Sequence, residues 1–237
     1  MPTTWKTRCR RFATSIRIRL QVAIFPMTLD EQLKKMAQDW DLRAKENARY
    51  YVNTERQDWT DEEFFRSGRR TVEEEILTDM TNICQGKDPK QMKVLEIGCG
   101  AGRVTNALSE IFGEVWAVDV SSEMIRQATA ALAAKPHVHL VQCNGTDLSG
   151  ISADGTFDFA FSTIVFQHIP SYEVIENYVR EVHRLLRPGA LFKFQVQGDT
   201  SIQSTPGDTW LGVPFSDARA VSMAEACGFE PRYRHGA

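Results

Sequence analysis

The run Val94-Leu95-Glu96-Ile97-Gly98-Cys99-Gly100-Ala101-Gly102-Arg103 constrains the fold more than any other part of the chain. A short apolar stretch carries a carboxylate and then breaks into three glycines spaced two apart, which reads as a buried strand turning sharply into a helix. Glycine accepts positive φ and, having no Cβ, lets a ligand touch the backbone. A Gly-x-Gly-x-Gly turn by itself serves many nucleotide-binding folds. Glu96 narrows the choice. A carboxylate two residues before Gly98 repels the phosphates of a dinucleotide and attracts a ligand bearing an ammonium and a sulfonium. The charge therefore favours S-adenosylmethionine over NAD.

The next strand spans Glu114 to Val120, with Asp119 near its end, where an acid can chelate a ribose diol. An acid at this spacing suits a nicotinamide enzyme equally well. At this point the sequence resembles the class I S-adenosylmethionine-dependent methyltransferase family, through EIGCGAGR, Asp119, FDFAFSTIVFQHIP (Phe157 to Pro170) and LLRPGALFKF (Leu185 to Phe194). The four landmarks keep the family's order over roughly residues 93 to 229.

The resemblance implies a methyl transfer to an O, N or C atom of a small-molecule acceptor, on a doubly wound Rossmann-like parallel sheet. It puts Glu96 and the turn Gly98, Cys99, Gly100 and Gly102 around the methionine part of the cofactor, Cys99 being a small spacer. Asp119 takes the ribose hydroxyls, and Val120 with Met124 flanks the adenine. Where the family often has an acid after the third strand, Asn144-Gly145 stands; Asn144 is the candidate adenine reader, Asp147 its competitor, and a plain Asn-Gly turn the alternative. Ser162, Thr163 and Phe166 leave the C-terminal end of the fourth strand, where open α/β sheets bind ligands. His168 is a candidate general base, set against a packing histidine before Pro170.

Composition sets outer bounds. The 237 residues, 42% of them hydrophobic, suffice for one core and a small helical cap, and a net charge of −3 supplies no basic field for nucleic acid. Nor is there an Asn/Asp-Pro-Pro-Tyr motif or a Pro-Cys dipeptide to act on bases. The five cysteines lack CxxC pairing, which suits a reducing cytoplasm and no metal site. No apolar run approaches the ~20 residues of a membrane span. Residues 1–26 are basic and free of acids, a pattern open to a transit peptide, a nucleic-acid arm, a disordered extension or a misplaced start. The expected division is therefore 1–26 as extension, 27–92 as helical cap and 93–237 as the methyltransferase domain.

Capping boxes at Thr28/Glu31, Thr60/Glu63 and Thr71/Glu74 predict three helix starts, the first with Leu29, Leu33, Met36 and Trp40 on one face. Strands and helices then alternate, the sign of a parallel sheet. The last helix, Asp217 to Ala226, is capped by Ser216. Residues 228–237 offer a sixth strand, while nothing remains for the family's seventh, leaving the fifth strand with an open edge. The aromatic group Tyr50, Tyr51, Trp59, Phe64 and Phe65 suits either a lid or helix packing, and the loop Gly198 to Phe215 either a lid or disorder. A nicotinamide oxidoreductase and a non-catalytic cofactor-binding protein are the competing readings.

Overall fold

In the computed structural model, residues 27–151, 154–205 and 207–233 are described, so the basic stretch 1–26 lies outside them. Helix α1 (Leu29–Val52) starts at the expected box, Thr28 accepting from the Glu31 N–H and Glu31 accepting from the Thr28 N–H. It breaks at Asn47, whose extended φ of −163° interrupts the ladder and whose Oδ1 caps the continuation through the Tyr50 N–H. This break sets the direction of the last turn, which carries Tyr50 and Tyr51.

Helix α2 (Asp61–Glu75) starts at the Thr60/Glu63 box. The box expected at Thr71 does not form: Thr71 lies inside α2 and donates its hydroxyl back to the Ser67 carbonyl. Its four-residue local pattern is outweighed by the continuous apolar face of Phe64 and Val72, which buries across that point. Helix α3 (Met80–Cys84) follows and ends with Gln85 in the left-handed region. Val72, Ile76 and Ile83 are buried in one cluster, with Met80 packed alongside.

Five strands build the sheet: β1 (Lys93–Ile97), β2 (Glu114–Asp119), β3 (Val138–Gln142), β4 (Phe157–Ser162) and β5 (Leu186–Phe194). They lie in the order β3-β2-β1-β4-β5, every pairing parallel. Helices α4 (Arg103–Ile111), α5 (Ser122–Ala131) and α6 (Tyr172–Leu185) make the crossovers, and α7 (Asp217–Ala226) follows β5. Alternating residues along β1 supply both layers: Leu95 and Ile97 pack with α6, Val94 with α4. The order reverses between β1 and β4, so the two turns that leave these strands diverge and open a crevice at their C-terminal ends.

One difference from the expected C-terminus follows from packing, and the open edge expected of the fifth strand is present among the described residues. Residues 229–233 form no strand, because Phe229 folds back onto α7 through its N–H to the Ala224 carbonyl and stacks on Phe192 and His183. Among the described residues, β5 pairs only with β4, with one isolated bridge from Gln197 to Pro214 beyond it. At the opposite end of the sheet, buried Asp158 accepts from Lys87, Arg187 and the Lys93 N–H, tying the turn after α3 to β1 and β5.

Candidate functional site

The crevice is a half-open cleft with about 800 Å³ of free space, the open solvent at its mouth included. One end is the glycine turn. Gly98 and Gly100 have φ of +75° and +52°, and a Cβ on them would come within 2.3 Å of Val165 and 2.6 Å of Val52. Only glycine lets the β4 exit and the end of α1 close this tightly over the turn. Asp119 braces it: Oδ2 accepts from the Gly100 N–H at 2.9 Å and Oδ1 from the Ser121 N–H at 2.9 Å. Each oxygen keeps a lone pair for a ligand hydroxyl. Burial of the carboxyl raises its pKa despite these bonds.

Glu96 and Arg103 form the charged floor. Glu96, 3% exposed, accepts from Thr105 Oγ1 at 2.6 Å. Burial pushes its pKa up to about 7, against the pull of Thr105 and Arg103. Arg103, 4% exposed, gives Nη1 to the Ser67 carbonyl and to Thr71 Oγ1 of α2. Its Nε is buried without any partner. A charged donor left unsatisfied in a cleft wall is costly unless a ligand supplies an acceptor. Arg103 closes the glycine motif without a role that the motif itself assigns. Its signal was its place: a cation in the first turn of a helix opposes the helix dipole and needs another reason to be there.

Of the expected site residues, Glu96, Gly98, Cys99, Gly100, Asp119, Val120, Met124 and Thr163 line the cleft. Met124 is also core, buried with Ala44, Phe64 and Ala101. Cys99 is 2% exposed, and burial drives its thiol pKa well up, so it is no nucleophile. Gly102 begins α4 behind the wall, against Leu132. Ser162 is buried and donates to the Ile97 carbonyl, and Phe166 is fully buried against Tyr178 and Phe194; both stand behind the surface they were expected to form. Asn144 lines an adjoining hollow with Gln142 and Asp147 that shares Val118 and Cys143 with the cleft. Its Oδ1 accepts from the Thr146 and Asp147 N–H groups, an Asx turn, with Gly145 at φ +85°.

The other end of the cleft is apolar, lined by Trp40, Tyr51 and Val52 of α1 and by Ile164, Val165 and Ile169 after β4; of these only Tyr51, in its aromatic group, was expected near the site. The aromatic group divides. Tyr51 faces the cleft, while Trp59, Phe64 and Phe65 pack α1 on α2. Ile164 is held at φ +56°, a strained position for a β-branched residue of the kind that gathers at functional sites. The Gln195 amide oxygen accepts its N–H, and a chain continues from Gln195 to Gln167 to His168.

His168 ends that chain as a packing residue. Its Nδ1 meets the Trp210 carbonyl, which can only accept, so the proton is on Nδ1 and Nε2 faces the Gln167 amide. The ring lies between Trp40 and Trp210, and burial lowers its pKa, keeping it neutral. The loop 198–215 is thereby latched to α1: Thr209 donates to Asp39, and Arg43 donates to the Thr209 carbonyl.

Comparison with known proteins adds independent information. A family profile described as a methyltransferase domain matches residues 94–189. A malonyl-[acyl-carrier protein] O-methyltransferase of Enterobacter lignolyticus is 33% identical over 103 residues, 43% of this chain and 38% of that protein. A demethylmenaquinone methyltransferase of Staphylococcus aureus is 31% identical over 105 residues, 43% of this chain and 42% of that one. The chain thus matches about two fifths of the length of these curated relatives. Among solved structures, DhpI with S-adenosylhomocysteine superposes with a TM-score of 0.57 at 20% identity, covering 85% of this chain and 89% of that one. A Haemonchus contortus phosphoethanolamine N-methyltransferase gives 0.57 at 15% identity, over 81% of this chain and 38% of that chain. The fold is the Rossmann-like sheet of these proteins.

Proposed function

We propose that this protein, whose residues 94–189 match the methyltransferase-domain profile, moves a methyl group from S-adenosylmethionine to a small-molecule acceptor. The observation that carries the reading is the charged floor of the cleft. Glu96 and Arg103 set a carboxylate beside a guanidinium with an unspent Nε–H. That pair is complementary to an amino-acid zwitterion, ammonium toward Glu96 and carboxylate toward Arg103, and is a poor match for a dinucleotide pyrophosphate. The residues therefore fit the methionine part of the cofactor. Asp119 is assigned the ribose hydroxyls, Val120 and Met124 the adenine faces, and Asn144 or Asp147 the adenine edge from the adjoining hollow.

S-adenosylmethionine supplies, when bound, a methyl group activated by its sulfonium. The chain's work is placement. The glycine turn and Asp119 hold one end, the apolar wall of Val52, Ile164 and Val165 excludes water, and α1 with the latched loop closes the mouth. Alignment and desolvation are what an in-line displacement requires. Residues 27–92 act in this reading as a helical cap on a methyltransferase domain formed by 93–237.

We further infer a cytoplasmic setting, supported by the free thiols Cys84, Cys99, Cys143 and Cys227. Among the described residues no helix is long and apolar enough to cross a membrane, and no group of His, Cys, Asp and Glu is arranged for a metal. Calorimetric titration with S-adenosylmethionine, S-adenosylhomocysteine and NADH, followed by methyl incorporation across an acceptor panel, tests the proposal. Binding of NADH in place of the two adenosyl ligands refutes it.

A further inference from the structure

We propose that the apolar end of the cleft takes a flat aromatic or conjugated acid, already anionic at its nucleophilic oxygen, seated against Trp40, Tyr51 and Trp210 with Arg43 as its counter-charge. This rests on the methyl-transfer reading and names the acceptor class for it.

The shape comes from three rings. Trp40 and Trp210 lie 6.3 Å apart at 36°, and Tyr51 meets Trp210 edge-on at 5.9 Å. Trp210 is 36% exposed, so part of this large ring stays open to solvent beside Trp40 and Tyr51, which line the cleft. Exposed aromatic faces beside apolar walls favour planar guests.

The charge comes from Arg43. Its guanidinium lies 4.7 Å from the Trp40 ring centre and 5.3 Å from that of Trp210, half-buried between them. One nitrogen donates to the Thr209 carbonyl. The nearby carboxylates are already engaged: Asp39 holds Lys35 and Thr209, and Asp208 caps the Trp210 and Leu211 N–H groups. A partly desolvated cation with remaining donors, held rigid by two indoles, is a site for an anion.

The ionisation state comes from the absence of a base in reach. Among the described cleft residues, Glu96 and Asp119 stand at the glycine-turn end, and Cys143 and Tyr178 are bonded to each other. Tyr51 spends its proton on Glu46, and His168 has both ring nitrogens engaged. A neutral hydroxyl arriving here finds nothing to take its proton. An acceptor that arrives as the anion needs no such group: its oxygen lone pair forms the new O–C bond to the methyl carbon, the S–C bond breaks, and its electron pair stays on sulfur. The anion and the sulfonium both end neutral, and no proton is left over.

The test is calorimetry on the full chain saturated with S-adenosylhomocysteine, using three probes of one shape: 2-naphthoate, 2-naphthol and 2-naphthylmethylammonium. The expected result is at least a tenfold preference for 2-naphthoate over both others, lost in Arg43→Met and largely kept in Arg43→Lys, with Trp210→Ala weakening all three. The wild-type preference and Arg43→Lys decide the matter if Arg43→Met does not fold. A preference below tenfold, a preference for the ammonium probe, or one that survives Arg43→Met overturns the proposal. Failure to bind S-adenosylhomocysteine would instead remove the methyl-transfer reading itself. Formation of the labelled methyl ester of 2-naphthoate is the accompanying activity readout.

Discussion

Replacing Gly98 by alanine tests the geometry on which the cleft depends. The residue sits at φ +75°, where a Cβ would lie 2.3 Å and 2.6 Å from the two methyls of Val165 and 3.0 Å from its Cβ. Rotating the valine cannot clear all three contacts. The left-handed conformation costs an L-residue about 1–2 kcal/mol, and forced overpacking adds about 1–3 kcal/mol. Gly98→Ala should thus destabilise by about 2–5 kcal/mol, a loss of about 2–4 °C in melting temperature per kcal/mol for a chain of this size. The two contributions separate in a double-mutant cycle. Val165→Ala removes the obstructing methyls but leaves φ unchanged, so in that background Gly98→Ala should cost only the conformational part, about 1–2 kcal/mol. Urea unfolding of the four proteins, followed by tryptophan fluorescence, gives the coupling directly. An equal cost of Gly98→Ala in both backgrounds would refute the close approach of the two turns.

Three further outcomes are expected. Glu96 is held near pKa 7 against 4.5 when exposed, so the folded protein binds this proton more tightly than the unfolded chain and loses stability as pH rises across that interval; Glu96→Gln should flatten the slope by ~3 kcal/mol in all, read by melting at about pH 5 and about pH 8, and an unchanged slope counts against the buried carboxyl. Asp119→Ala should weaken S-adenosylhomocysteine by ~1–3 kcal/mol in calorimetry; unchanged affinity in both Asp119→Ala and Glu96→Ala would sink the site assignment. Asp158→Ala should cost ~2–4 kcal/mol, discounted because Lys87 and Arg187 are partly exposed, and leave cofactor affinity alone. Although burial pushes Asp158 up, its bonds to Lys87, Lys93 and Arg187 hold its pKa below 3.8, so its stabilisation is present above that value and disappears as pH falls through the folded pKa; a wild-type acid transition unaltered by the substitution would contradict this.

Local chemistry was legible in the residues themselves. The strand expected over Glu114 to Val120 runs Glu114–Asp119, and Thr28, Thr60 and Ser216 start helices where their side chains place them. The Gly98-Cys99-Gly100 turn with Glu96 and Asp119 was legible for the same reason: a tight turn's demands on φ and charge are met by neighbours in the chain. Thr71 shows the limit, since a four-residue pattern cannot report that Phe64 and Ile76 are buried on either side of it. Phe166 and Ser162 show another: Ser162 ends β4 and Phe166 lies in the short helical turn beyond it, and their burial depends on packing against β1, β5 and α6.

What the sequence determined alone is therefore the strands and helices, the glycine turn and the charge beside it, because these follow from contacts within a few residues. Only the tertiary structure decided that Arg103 has an unspent donor, that His168 is pinned between two indoles, and that Trp40, Tyr51 and Trp210 meet at one mouth. Trp40 and Trp210 are 170 residues apart in the chain, and no local periodicity encodes their encounter. It arises because strand order turns β4 away from β2 and leaves α1 and the loop after β5 to close the same crevice.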